Sequence, residues 1–179
     1  LREISGFELS RLEHIRTFNG LPTNKKLEIL NEQNRVKKED FEIIWNLKQK
    51  KTNEIIEKTA SDDETKIRLH EGTSKFKKIC VTNSIRQTAL LMLEKTGQLS
   101  FMEHVISNED VCNPKPDPEG YLKAIQYLQL QPNECMIVED APKGIEAAKK
   151  SNAHVYEVKG YHDVTLENVL NTINHFNMN

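Results

Sequence analysis

The 179-residue chain lacks the features that would commit it to an oxidising compartment, a bilayer or a polyanion. Its three cysteines are an odd number; Cys80 and Cys135 sit inside apolar runs and Cys112 in a polar connector. That usage argues against a disulfide scaffold and for a reduced, cytoplasmic protein. No apolar stretch approaches the ~20 residues that cross a bilayer. Lysine plus arginine (25) nearly balance aspartate plus glutamate (27), a net charge of −2, so no one-signed field marks nucleic acid or an anionic membrane as a partner. Paired ligands at zinc spacing are missing as well. The six histidines are scattered, and only His14 and His104 stand where a cap or cleft role is worth checking.

With 37% hydrophobic and 29% charged residues, the chain can build one sizeable domain, or a core plus a smaller unit. Its two halves differ in texture. Residues 1–72 contain no convincing strand. Leu9, Leu12 and Ile15 recur at helical spacing, as do Leu27 and Leu30 after Thr23 as an N-cap. A long helical pattern from Asp40 to Thr59 carries Phe41, Ile44, Trp45, Leu47, Ile55 and Ile56. A further helix near 62–71 is expected to end at Gly72 as a left-handed terminator. The expected organisation is a helical unit over 1–72 and an α/β unit over 73–179.

From residue 78 onward, short apolar runs alternate with helices. "KICVT" (78–82), "HVIS" (104–107), "CMIV" (135–138) and "HVYEV" (154–158) read as strands. Helices are expected over 85–96, from Asp117 and Pro118 onward, over 142–150, and near the end around Leu166, Val169, Leu170 and Ile173. Alternation with short connections predicts a parallel, doubly wound sheet covered on both faces. In such sheets polar chemistry gathers at the carboxyl ends of the strands. Three polar groups stand there: Thr82-Asn83-Ser84, "NPKPDP" (113–118) and Glu139-Asp140. No internal repeat or low-complexity tract occurs.

Each cluster has a plain and a chemical reading. Thr82, Asn83 and Ser84 precede a helix, so one of them could simply cap it, or the helix-start amides and hydroxyls could bind an oxyanion. Lys115 lies between two prolines, which stiffen the backbone that presents its charge; alone it reads as a surface residue, and with the other clusters as a phosphate ligand. Adjacent carboxylates after a buried strand repel each other and call for a cation, and hard oxygen donors suit Mg²⁺. Asp140 could instead cap the next helix. If the strands ending at 82 and 138 are near each other in one sheet, Ser84, Lys115 and the Glu139-Asp140 pair converge on one spot, as phosphoryl chemistry requires.

"VTNS", "NPKPDPEGY" and "IVEDAPKGIEAA", in this order, resemble the second, third and fourth motifs of haloacid dehalogenase-like (HAD) phosphohydrolases, and most of all the β-phosphoglucomutase and phosphoglycolate phosphatase-like branch. The resemblance spans about residues 78–158, and "FNGLPT" followed by "KLEIL" resembles that branch's helical cap. It implies a Rossmann-like parallel sheet core with an α-helical cap, and a Mg²⁺-dependent phosphatase or phosphotransferase acting on a small, sugar phosphate-like metabolite. By the same resemblance Ser84 hydrogen-bonds the phosphoryl group, assisted by Thr82 and Asn83, and Lys115 neutralises it. Asp140 with Glu139 holds Mg²⁺, Gly144 lets the helix start pack close to the site, and Asn152 takes a left-handed conformation where the family commonly has Gly. A monomer is the expected state.

The family's first motif, D-x-D at the end of the first strand, supplies the nucleophilic aspartate, and no aspartate here has that setting. In sheets of this kind that strand is central, and buried backbone left unpaired costs ~1–3 kcal/mol per group. Some ~25–35 residues carrying it are therefore expected ahead of Leu1, a length set by a strand, its loop and a helix. Without them the chain alone is expected to be inactive. Mutases of this branch carry an arginine after the cap glycine; Leu21, Pro22 and Thr23 follow Gly20 here, which favours a phosphatase, although Lys25 and Lys26 could replace the arginine. A β-phosphoglucomutase-like mutase and a catalytically dead phosphate- or partner-binding member are the alternatives. A receiver-like signalling domain is disfavoured by the helical first half and the late position of "EDAPKGIEAA".

Overall fold

A computed structural model describes residues 1–177, apart from the side chains of Arg2 and Glu3. Short helical turns at Arg2–Ser5 and Arg11–Glu13 and a π turn at His14–Phe18 lead into α1 (Thr23–Glu32), α2 (Phe41–Thr59) and α3 (Glu64–Gly72). Then follow β1 (Ile79–Val81), α4 (Arg86–Lys95), β2 (His104–Ile106), α5 (Glu119–Leu128), β3 (Met136–Glu139), α6 (Pro142–Lys150), β4 (His154–Glu157) and α7 (Leu166–His175). Strand-helix alternation in the second half matches the periodicity expected of it. No described helix is long and apolar enough to cross a membrane.

The strands pair in parallel, β1 with β2 from Ile79–His104 to Val81–Ile106, and β3 with β4 from Met136–His154 to Glu139–Glu157. Among the described residues they form two two-stranded sheets, and no ladder joins β1 to β3. The two halves are held together by α5, whose Tyr121 packs with Ile137, Ala147 and Ala148 on one side and Val81 on the other.

The helical first part has its own apolar centre. Phe18, fully buried, packs with Leu27, Leu30, Val36 and Ile44. Leu27 and Leu30 are one turn apart on α1, so a single face of that helix enters the cluster. Thr23 is the first residue of α1; the cap position belongs to Pro22, which offers no side-chain hydrogen bond. By contrast α3 packs onto α7, where Leu69 meets Val169 and Ile173. Gly72 lies inside α3 without a left-handed φ, so it is no terminator of the expected kind; a Cβ there would come within 2.6 Å of the Leu166 Cδ1. Helix α3 is capped by Asp63, which accepts from Lys66 N. Asn152 does adopt a left-handed φ of 61° as α6 ends.

His70 is the most constrained ionisable group of α3. Its Nε2 shares a hydrogen bond with Gln98 Oε1 at 3.1 Å, its ring stacks on Phe101, and its buried Nδ1 has no partner. Burial pushes the imidazole below its ordinary value, opposed by the Gln98 contact and reinforced by the Lys78 and Lys66 charges. A depressed imidazole favours the neutral form, so its stabilisation is present above the unfolded value of ~6.5 and is lost as pH falls below it.

Truncating the helical centre with Phe18→Ala is expected to cost about 3–5 kcal/mol in urea unfolding. Between pH 7 and pH 5 the urea midpoint of the wild type should fall more steeply than that of His70→Gln; parallel slopes would show that this imidazole does not titrate with folding.

Candidate phosphoryl-binding site

The site starts where β1 stops. Thr82 continues the ladder by donating its N–H to Ile106 O at 2.8 Å, and its Oγ1 accepts the Ser84 N–H at 3.0 Å. The chain then enters α4 through an extended Ile85 at the cap position, which contributes no side-chain bond. The first amide of α4, Arg86 N, is taken by Glu109 Oε2 at 2.6 Å. A carboxylate from the far side of β2 thus supplies what a serine cap would have supplied, and Ser84 stays exposed on the cavity wall. That answers the plain reading of this cluster: neither Ser84 nor Asn83 caps the helix.

Asn83 binds backbone instead. Its Nδ2 donates to Gly20 O (2.7 Å) and Lys115 O (3.1 Å), and its Oδ1 accepts from Lys115 N (3.1 Å). One amide therefore fixes the loop of Lys115 and ties it to the turn that precedes α1. Gly20 is needed there for a φ of +76°, which L side chains rarely adopt. The Lys115–Pro116 peptide is cis.

The Lys115 ammonium donates to Val81 O at 2.9 Å and to the Glu139 carboxylate, over the ring of Tyr121 at 4.7 Å. Both side chains of this ion pair are nearly buried, 12% and 11% exposed. Tyr121 O–H also donates to Glu139 Oε1, and Ala141 N approaches Oε2 at 3.4 Å. Burial works to raise the Glu139 pKa, but the Lys115 charge and these donors outweigh it and hold the carboxyl below its ordinary range. Burial and the Glu139 charge push the Tyr121 phenol far up, so it remains a donor. Gly144 makes this possible: a Cβ there would lie 2.2 Å from the Glu139 carboxyl carbon. The expected close approach of the α6 start is thus to the glutamate itself.

Thr82, Asn83, Ser84, Lys115 and Glu139 all line one cavity of about 590 Å³. Asp140 is exposed and does not line it. Among the described residues no three acidic, histidine or cysteine side chains gather as a metal site, and the only carboxylates on the cavity wall are Glu109 and Glu139. Glu139 spends its Oε1 on Lys115 and Tyr121, so Asp140 and Oε2 are the oxygen donors left at this strand end. Such a sparse set fits Mg²⁺, which takes one or two carboxylates and fills its remaining positions with water and substrate oxygens.

Several lining residues carried no functional signal in the sequence. Trp45, Lys48 and Gln49 lie on the helical pattern of α2 and read as packing or solvated face, yet they line the same cavity as Lys115. Asn108, whose buried Oδ1 lacks a partner, also lines the cavity. Tyr121 read as one apolar position of a stripe, and its hydroxyl is the functional part. His14 and His104 do not line the cavity.

The model of the haloacid dehalogenase-like hydrolase family matches residues 2–158. Among curated proteins, the chain is 37% identical over 83 residues to a validoxylamine A 7'-phosphate phosphatase of Streptomyces hygroscopicus subsp. limoneus, covering 46% of this chain and 39% of that protein. It is 35% identical over 81 residues to hexitol phosphatase A of Escherichia coli, covering 45% and 38%. The matched part thus spans about two fifths of the length of these relatives. Among solved structures, a HAD hydrolase of family IA, variant 3, from Entamoeba histolytica superposes with a TM-score of 0.75 at 20% identity, over 97% of this chain and 87% of that one. A β-phosphoglucomutase from Clostridium difficile gives 0.71 at 17% identity, over 89% and 79%. At these identities the superpositions establish the fold, an α/β Rossmann-like core with accompanying helices. The family match covers most of the chain, and the three motif regions it includes meet at one cavity: this protein belongs to the haloacid dehalogenase-like hydrolase family.

Proposed function

We propose that this chain is the phosphoryl-binding part of a Mg²⁺-dependent phosphatase acting on a small phosphorylated metabolite. The observation that carries the reading is the convergence of two hydroxyls, Thr82 and Ser84, with the Lys115 ammonium and Glu139 in one polar cavity. Residues 1–72 serve as the helical cap, with α1 and α2 toward the cavity, and residues 73–179 as the core. Phosphatase names among the relatives support the same reaction class.

In this reading Lys115 offsets phosphoryl charge while Thr82 and Ser84 donate to its oxygens; such positioning and charge neutralisation are most of what phosphoryl transfer demands. Thr82 directly follows Val81, whose carbonyl accepts from the Lys115 ammonium. Glu139 orients Lys115, whose charge in turn holds the Glu139 carboxyl below its ordinary range. Asp140, with Glu139, would hold the Mg²⁺, which supplies further charge neutralisation when bound.

The nucleophile is proposed to be an aspartate on a strand seated between β1 and β3, upstream of the helical part. The unjoined edges of the two sheets support this, since β1 and β3 are each paired on one side only among the described residues. Its carboxylate would attack phosphorus, the ester P–O bond would break with a proton delivered to the leaving oxygen, and water would then hydrolyse the acyl phosphate. A phosphatase is preferred to a mutase because Leu21, Pro22 and Thr23 follow Gly20, without an arginine.

The protein carrying its upstream segment is expected to hydrolyse an aryl phosphate only with Mg²⁺, and Asp140→Asn should lower kcat by about 10²-fold or more. Unchanged turnover in Asp140→Asn would overturn the metal assignment. For the present chain, calorimetry should register inorganic phosphate binding that weakens at least about tenfold, ~1.4 kcal/mol, in Lys115→Met.

A further inference from the structure

The core side of the cavity carries a carboxylate that the phosphoryl site does not use. Glu109, in the loop that leaves β2, lines the cavity together with Ser84 and Ile85. Its Oε2 accepts the Arg86 N–H that opens α4, at 2.6 Å, and its Oε1 has no partner among the described residues. On Glu139, the other lining carboxylate, Oε1 is bound to Lys115 and Tyr121 and Oε2 faces the Ala141 amide. The loop that presents Glu109 is fixed. Ser107 is 1% exposed, and the Asp110 carboxylate accepts from Ser107 N (2.8 Å), Ser107 Oγ (2.7 Å) and Arg86 Nη2 (2.5 Å). Asn108 N donates to Ser84 O at 3.1 Å, and Lys123 Nζ donates to Asp110 O at 2.6 Å. One loop therefore holds Arg86 twice, its amide through Glu109 and its guanidinium through Asp110.

The first amides of a helix lack intrahelical partners and carry the positive end of its dipole, so an anion from outside would settle there. In this protein the chain fills that position with its own carboxylate. A second anion brought to the start of α4 meets an amide already taken and a like charge in its way. A hydroxyl meets a carboxylate oxygen in need of a donor, and hydrogen bonds to charged acceptors are the stronger kind. Asn108, on the same loop and the same cavity, adds to the shortage of donors: its buried Oδ1 has no partner. From the helical part Lys26 and Lys48 line the cavity with groups that only donate. A hydroxylated body suits both sides, since each hydroxyl can donate to Glu109 or accept from a lysine.

We propose that Glu109 is a specificity-determining residue: its carboxylate occupies the anion position at the start of α4, takes a hydroxyl of the substrate's organic body and turns a second anionic group away. This rests on Lys115 marking the phosphoryl end. The substrate is then a phosphate ester with a hydroxyl, and no further carboxylate or phosphate, on the part that faces α4.

Calorimetry on the chain with propyl phosphate, glycerol 3-phosphate and 3-phosphoglycerate, each referred to inorganic phosphate, tests it. Glycerol 3-phosphate should bind about threefold or more tighter than propyl phosphate, the worth of one hydrogen bond, and 3-phosphoglycerate no tighter than glycerol 3-phosphate. Glu109→Gln keeps an oxygen for the Arg86 amide and removes the charge. It should raise the affinity for 3-phosphoglycerate relative to glycerol 3-phosphate about fivefold or more at low salt, and less at high salt. Glu109→Ala should raise that ratio as well and erase the preference for glycerol 3-phosphate over propyl phosphate. Glu134→Gln, at the amino end of β3, should leave both ratios as they are. A carboxylate that only caps α4 would lower the urea midpoint of Glu109→Ala and move neither ratio, a result that would overturn the proposal. A wild-type preference for 3-phosphoglycerate of about tenfold would overturn it too, with the phosphoryl site left standing. Failure of inorganic phosphate itself to bind would sink the underlying reading, and this one with it.

Discussion

The contact among Lys115, Glu139 and Tyr121 is the constraint on which the site and the core both depend. Taking a lysine and a glutamate out of water costs several kcal/mol per ion, and the mutual attraction repays this only when the remaining donors and acceptors are also engaged. Here they are engaged: the ammonium has the Val81 carbonyl and the face of Tyr121, and the carboxylate has the phenol and a backbone amide. Each of these partners comes from a different segment. Val81 ends β1, Lys115 sits in the loop before α5, Tyr121 is on α5, and Glu139 ends β3. Because β1 and β3 share no ladder, this contact and the apolar cluster around Tyr121 are what join the two pairs of strands at their carboxyl ends.

The same arrangement explains why local sequence is so restricted around it. Gly144 cannot accept a side chain because the Glu139 carboxyl occupies that volume, so the start of α6 is fitted to the ion pair and not to a generic strand. Asn83 then carries the order outward, gripping the backbone of Lys115 on both its N–H and C=O and reaching Gly20 in the helical part. Position of the lysine and position of the turn ahead of α1 are coupled through one side-chain amide. A cavity built this way is lined by Lys115 from the core and by Lys26, Lys48 and Gln49 from the helical part.

Family membership and local geometry carry different information. The family match accounts for the parallel pairing, the order of elements and the helices ahead of β1. It does not say which carboxylate meets which cation. Glu139 and Asp140, adjacent in sequence, differ in their partners: Glu139 is bound to Lys115 and Tyr121 in the cavity wall, whereas Asp140 is exposed. The curated relatives align over less than half of their length.

The sequence by itself determined the elements and much of the site. Short apolar runs alternating with amphipathic helices led to parallel strands within a residue or two of their observed limits. Asn152 could be read as left-handed, and Gly144 as a point of close approach, because such backbone requirements are local. Thr82, Asn83, Ser84, Lys115 and Glu139 were legible as one cluster because strand ends in a parallel sheet gather on one side. Tertiary structure alone decided the rest. Gly72 is small to admit Leu166, ninety-odd residues later, and not to end a helix. Ser84 is left free because Glu109 takes the helix-start amide. Lys48 and Gln49 belong to the cavity, and the Tyr121 hydroxyl to Glu139, only through the placement of α2 and α5. Periodicity reports which face of an element is apolar; it is blind to which distant polar group a given side chain will meet, since that is set by how whole elements pack.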